Sequence, residues 1–113
     1  MHEYSIVGAL LDQVERIARE QGAHAAKRLQ VRIGELSGVE IPLLETAFET
    51  FRAGTCCADA GLEVERVPAR WACPRCRAPA VRGRALRCAH CDVPVRLESG
   101  DEIILERVEL EVA

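Results

Sequence analysis

Aromatic residues are scarce in this chain, with one tryptophan, one tyrosine and two phenylalanines in 113 residues. A surface that stacks nucleobases needs interleaved aromatics, so the composition disfavours a nucleic-acid reader. Also missing is any apolar run near the ~18 consecutive residues that a membrane-spanning helix requires. The opening residues Met1-His2-Glu3-Tyr4 carry neither the basic region nor the long apolar stretch of a secretory signal, and a cytoplasmic protein with no membrane segment is expected. In that compartment cysteines serve more often as metal ligands than as disulfides. No internal repeat or low-complexity tract interrupts the chain. At 49% hydrophobic and 29% charged residues, the length supports one small domain, or one such domain with a metal-stapled appendage, and excludes two full cores.

Four of the six cysteines form two CxxC pairs, Cys73-Pro74-Arg75-Cys76 and Cys88-Ala89-His90-Cys91, with eleven residues between them. Each pair sets two thiolates on one tight turn, and two such turns facing each other complete the tetrahedral sulfur shell that zinc prefers. A closed four-sulfur zinc site is structural in character; an iron centre of rubredoxin type or a redox dithiol would use the same residues. The gap is shorter than the about 15 to 20 residues common for this pattern, yet a two-stranded ribbon through Arg82 to Arg87 can span it. His90 reads as a solvated bystander, with a minor alternative as a metal ligand. Cys56 and Cys57 stand apart and read as small, buried or half-buried side chains in a loop, with auxiliary soft ligation or oxidation as the alternative.

Around this module the apolar pattern changes period. Ile6, Val7, Leu10, Leu11, Val14, Ile17 and Ala18 recur at three- and four-residue spacing, predicting an amphipathic helix over 4–21 that Gly22 closes. Leu29, Val31 and Ile33 alternate with Arg28, Gln30 and Arg32 as in a half-buried strand. Gly34 and Gly38 bracket a turn or a short second strand. Pro42 suits a helix start, and Leu43, Leu44, Ala47, Phe48 and Phe51 predict a second helix over 41–53. Leu62 and Val64 alternate with Glu63 and Glu65 up to Pro68. After the module, Ile103 and Leu105 are in one phase and Val108, Leu110 and Val112 in the other, so a bulge near Glu106 and Arg107 would return them to one face.

The expected class is α+β: two helices on one face of a small three- or four-stranded sheet, with an inserted four-cysteine zinc ribbon. The expected division places residues 1–68 and 98–113 in an α/β body and 69–97 in the zinc module. That short segment offers only Trp71, Val81, Leu86, Val93, Val95 and Leu97 for a core, so its order should depend on the metal. It is also electrically distinct. Seven arginines against Asp92 give it +6, while the remainder carries −9. Four thiolates on one zinc ion would reduce the module to about +4. Such a basic knob either solubilises an exposed loop or docks on an acidic surface or nucleic acid.

The terminus holds a second set of donors. A free amine on Met1, the His2 amide nitrogen and the His2 imidazole can close two fused chelate rings on one metal, and the Glu3 amide can complete a square of nitrogens. Square-planar nitrogen favours Ni(II) or Cu(II) over zinc. Amide ligation requires deprotonation, so binding should weaken as pH falls. The bulk of His2 discourages removal of Met1, which keeps the amine in register. Taken by itself, the triplet also fits a frayed start before a helix, with Glu3 as a first-turn acid complementing the helix dipole.

Taken together, Met1-His2-Glu3 with Ser5-Ile6, the first helix, Gly34-Glu35-Leu36-Ser37-Gly38-Val39, Gly61-Leu62-Glu63-Val64 and the paired CxxC turns resemble the HypA/HybF family over essentially the whole chain. The resemblance implies a nickel metallochaperone for hydrogenase maturation, not an enzyme. It implies Ni(II) on His2, the Met1 amine and the Glu3 backbone, and structural or regulatory zinc on Cys73, Cys76, Cys88 and Cys91. Its implied partners are a HypB-type GTPase and the NiFe-hydrogenase large subunit, with service to another nickel enzyme such as urease also allowed, and a monomer or homodimer as the assembly. One departure stands out. Family members often have glycine directly after the second cysteine of each pair, where this chain has Arg77 and Asp92; Asp tolerates a left-handed backbone better than Arg, so the first turn is expected to differ in shape. The rival readings are a zinc-ribbon nucleic-acid binder, motivated by the arginines, and a zinc hydrolase or thiol oxidoreductase. A closed sulfur shell leaves no open position to activate water, which counts against the enzyme.

Overall fold

The computed structural model describes residues 2–80 and 86–112. Its elements are α1 (His2–Glu20), β1 (Ala23–Gly34), α2 (Ile41–Phe51), β2 (Gly61–Val67), β3 (Arg70–Ala72), β4 (Arg96–Ser99) and β5 (Ile103–Val112). The expected α+β class is found, with a three-stranded sheet in the order β2-β1-β5 and a second, two-stranded sheet of β3 and β4. Among the described residues, no helix is long and apolar enough to cross a membrane.

One-sided burial explains the main sheet. Leu29, Val31 and Ile33 of β1 are buried together with Val7, Leu10 and Val14 of α1 and Leu44 and Phe48 of α2, so both helices cover one face. The opposite face is charged: Arg28 lies between Glu63 and Glu109, and Arg32 approaches Glu65. β1 is central, parallel to β2 and antiparallel to β5. In the β1–β5 register Gln30 faces Arg107 and Val31 faces Leu105, leaving Glu106 as the extra residue. This is the bulge that the phase change required. Leu105, Val108 and Leu110 pack on the core, whereas Ile103 and Val112 remain exposed at the strand ends, beyond the cover of the helices.

Several boundaries differ from the periodicity reading. α1 runs from His2 to Glu20 rather than over 4–21, β1 begins at Ala23 rather than Arg28, and α2 stops at Phe51 rather than Ala53. Helix α2 carries proline in its first turn, and its N-cap residue Glu40 makes no side-chain cap. The Glu40 N–H instead donates to the Glu3 carboxylate at 3.2 Å, so α1 supplies the partner.

The chain leaves the main sheet after Val67 and returns at Gly100, and the end of β1 holds both crossings. Gly34 N–H donates to Glu102 O (2.8 Å), Glu35 N–H to Val67 O (2.8 Å) and Leu36 N–H to Gly100 O (2.6 Å). The Glu35 carboxylate accepts from Ala69 N–H at 2.8 Å. Contact is too close for a side chain: a Cβ on Gly34 would lie 2.3 Å from the Gly100 backbone, and one on Gly100, at φ 108°, would lie 2.5 Å from the Ala69 Cα. The Glu102 carboxylate closes the turn by accepting from Gly100 N–H at 2.7 Å.

Two measurements follow from this neck. Gly34→Ala should lose about 1–3 kcal/mol in denaturant unfolding through overpacking, whereas Gly8→Ala, on α1 with open space around it, should gain about 1 kcal/mol. The Glu102 carboxyl is held below its ordinary value, chiefly by Gly100 N–H. Its folded pKa therefore lies under the unfolded one, so its contribution is full above the ordinary carboxylate range and is lost as pH falls through the depressed value. Glu102→Gln should lower stability at neutral pH and flatten the acid limb of a pH–stability curve.

Candidate metal centres

Cys73, Cys76, Cys88 and Cys91 come together with their sulfur atoms all within 4.8 Å of one another. Cys76 Sγ and Cys88 Sγ are 3.7 Å apart. A regular tetrahedron with zinc–sulfur bonds of about 2.3 Å has edges of about 3.8 Å, so the donor set and its spacing fit zinc. His90 is exposed and stands outside the cluster.

The two turns are built alike. In the first, Arg77 N–H donates to Cys73 O at 2.9 Å and Cys73 N–H to Ala78 O at 3.0 Å; in the second, Asp92 N–H donates to Cys88 O at 2.8 Å and Cys88 N–H to Val93 O at 2.9 Å. Backbone N–H groups also point at sulfur, from Arg75 to Cys73 and from Cys91 to Cys88, each at 3.4 Å. Arg77 (φ 62°) and Asp92 (φ 52°) are the non-glycine residues with positive φ among those described. The expected difference in shape is therefore absent: Arg77 adopts the left-handed backbone, because bringing two sulfurs of one CxxC to one point demands that turn whatever side chain follows. The second turn has a brace, since Arg87 donates to the Asp92 carboxylate and to its carbonyl, each at 2.9 Å.

Little apolar packing supports this arrangement. Leu86, expected in a small core, is 55% exposed, and Trp71, Val93, Val95 and Leu97 are only half-buried. Val81 and most of the proposed 82–87 ribbon lie outside the described residues; Arg87 forms an antiparallel bridge with Pro94. A segment this short has no second layer to bury its apolar side chains against.

The thiols are poised unequally. Cys73 is drawn down to about 6, first by the Cys76 N–H, against the opposing effect of burial, with the Arg75 N–H and neighbouring thiols adding. Cys91 is pushed up to about 12, first by burial and then by its contacts with the Cys76 and Cys73 sulfurs. Crowded sulfurs cannot all ionise without a cation. A divalent ion removes that repulsion and displaces the protons, so its affinity must fall as pH falls.

At the other end of the chain, Met1 lies outside the described residues. His2 is exposed, and its Nε2 lies 3.0 Å from Gly38 O and 3.4 Å from Glu3 Oε2. Glu3 is buried, and its carboxyl is held below the ordinary value, chiefly by the Glu40 N–H. No third histidine, cysteine or carboxylate side chain joins this pair within coordinating distance among the described residues. A metal here would need backbone donors. The contacts of Gly38 and Glu40 were not readable from the side-chain pattern; the only signal was the glycine-bracketed turn itself.

Cys56 and Cys57 match the expectation of small loop side chains. Cys57 is fully buried and Cys56 half-buried, with Cys56 N–H donating to Glu15 Oε1 at 2.6 Å. Burial raises both thiols, Cys57 to about 12, which favours the thiol over the nucleophilic thiolate.

Comparison with known proteins adds a family. Residues 1–110 match the family model described as hydrogenase/urease nickel incorporation, metallochaperone, hypA. A hydrogenase maturation factor HypA from Nitrosospira multiformis is 44% identical over 112 residues, covering 97% of each chain. One from Shewanella sp. strain MR-7 is 39% identical over 113 residues, covering 98% of this chain and 96% of the relative. The solution structure of the Ni metallochaperone HypA from Helicobacter pylori matches with TM-score 0.74 and 32% identity over 100% of both chains.

The strained turn gives a direct test. Arg77→Gly should stabilise the zinc-loaded protein by about 1 kcal/mol, since glycine removes the left-handed penalty, and slow zinc loss to a chromogenic chelator. Asp92→Gly should gain less, because it forfeits the brace from Arg87.

Proposed function

The chain belongs to the HypA family of hydrogenase/urease nickel-incorporation metallochaperones, and from that membership we propose that it carries Ni(II) at its amino terminus to the NiFe-hydrogenase large subunit. The ligands would be the Met1 amine, the amide nitrogen and imidazole of His2, and the Glu3 amide nitrogen. A HypB-type GTPase would assist the transfer in the cytoplasm, and Cys73, Cys76, Cys88 and Cys91 would hold zinc.

The observation that carries this reading is where α1 starts. Because the helix begins at His2, the N–H groups of His2 and Glu3 belong to the first turn, where backbone donors have no intrahelical acceptor. Either can be deprotonated and given to a metal without breaking a helical hydrogen bond. The helix dipole opposes a cation at this end, while deprotonated amides and the Glu3 carboxylate offset it. Such a balance suits a carrier, which must hold its cargo and yield it when a partner offers better ligands. Lower pH reprotonates the amides and favours release. Nothing in this sequence of events breaks or forms a covalent bond of a substrate.

Zinc would supply what the sparse packing of 69–97 does not. Bound by the four cysteines it would fix both turns, while the backbone N–H groups of Arg75 and Cys91 orient the Cys73 and Cys88 sulfurs.

Calorimetric titration of untagged, zinc-loaded protein with Ni(II) tests the carrier. Tight binding should be lost in His2→Ala and in a chain with one residue added before Met1. Retention of full affinity in both variants would refute the terminal site. Removal of zinc by a chelator should collapse the amide NMR dispersion of 69–97 while the core signals of Leu29, Val31 and Ile33 persist.

A further inference from the structure

We propose that Gly38 is a positioning residue of the nickel site: its carbonyl oxygen holds the Nε2–H of His2 and leaves Nδ1 as the ring nitrogen that takes the metal. This rests on the terminal site proposed above and adds the group that orients it.

His2 Nε2 faces two oxygens, Gly38 O at 3.0 Å and Glu3 Oε2 at 3.4 Å. A carbonyl and an ionised carboxylate only accept, so the nitrogen that meets them carries the proton. A neutral imidazole has one ring proton, and Nδ1 is left with a free lone pair. Nδ1 is also the ring nitrogen next to the side-chain stem. It alone can close a compact chelate ring with the amide nitrogen of the same residue. The tautomer selected by Gly38 is therefore the one that the chelate needs, and the exposed ring leaves that nitrogen accessible.

The carbonyl is held in place before any metal arrives. Gly38 adopts φ 80°, a backbone that other residues rarely take. An added Cβ there would meet nothing within 4 Å, so conformation rather than space reserves the position for glycine. Ser37 N–H donates to Gly34 O at 3.0 Å, and Val39 N–H to Ser37 Oγ at 3.3 Å, which shapes the turn. Beyond it, the Glu40 N–H is tied to the same Glu3 carboxylate that faces His2. A free peptide of the first few residues has the chelating atoms and none of this support. Outer-shell partners of a ligating histidine are worth about 10- to 100-fold in metal affinity.

The test compares the full chain, with His2 or with Nε2-methylhistidine in its place, against a free peptide of residues 1–5 carrying the same pair. Methylation removes the donor to Gly38 and spares Nδ1. Ni(II) affinity should drop about tenfold or more in the chain and stay unchanged in the peptide, with the square-planar absorption band retained in both. Equal affinity with and without the methyl group in the chain, or an equal loss in chain and peptide, overturns the proposal. A second pair guards against a folding artefact. Gly38→Asn, which tolerates positive φ, should keep the affinity, and Gly38→Pro, fixed at negative φ, should lose it at unchanged zinc content. Equal affinities in these two also overturn it. If His2→Ala binds nickel as tightly as the parent chain, the terminal site itself is wrong, an outcome distinct from these.

Discussion

The cysteine segment and the turn that leads to α2 both depend on the end of the sheet's central strand. β1 is paired with β5 along nearly its whole length and with β2 from Arg28 onward, and at Gly34-Glu35-Leu36 the same pairing continues into the two chain segments that lead to the cysteines. The backbone approach there is closer than any side chain permits. Beyond this point the chain turns through Ser37 and Gly38 and arrives at the start of α2, beside His2 and Glu3. The stretch from Gly34 to Glu40 thus connects the neck of the cysteine segment to the amino terminus, with main-chain hydrogen bonds at the neck and side-chain-to-main-chain ones at His2 and Glu3.

The two candidate metal sites illustrate different ways of presenting donors. At the cysteines, side chains would do the binding and the backbone adjusts, even to the extent of placing an arginine in a left-handed turn. At the terminus, in the proposed site, backbone nitrogens would do the binding and the side chains of His2 and Glu3 would support them. The first arrangement crowds four thiols that could all ionise only around a cation. The second would use nitrogens that a helix leaves unpaired, and its strength would depend on how many protons they shed.

Periodic burial was the part of this fold that the sequence stated openly. The three- and four-residue spacing from Ile6 to Ala18 and from Leu43 to Phe51 located both helices, and the change of phase between Leu105 and Val108 located the bulge at Glu106. Less legible was β1 before Arg28, because Ala23-His24-Ala25-Ala26 shows no strong alternation and is recruited by pairing with β5. Leu86 looked like core by composition, yet exposure followed from the lack of a facing layer. The four cysteines were legible as a cluster because CxxC spacing is local. The partner of His2 was not: it is a main-chain oxygen 36 residues away, and no side-chain pattern encodes it.

The neck also bears on how such a chain could arise. Val67 and Gly100 flank the same short stretch of β1, so the points of departure and return of the cysteine segment are neighbours in space. An ancestor with a short connection crossing the end of β1 there could acquire the segment in a single genetic insertion, with no rearrangement of strand order and no change to the packed interior. The hydrophobic body and the cysteine segment would then drift under separate selective pressures, and the two glycines, which neither could replace, would remain as the scar of their joining.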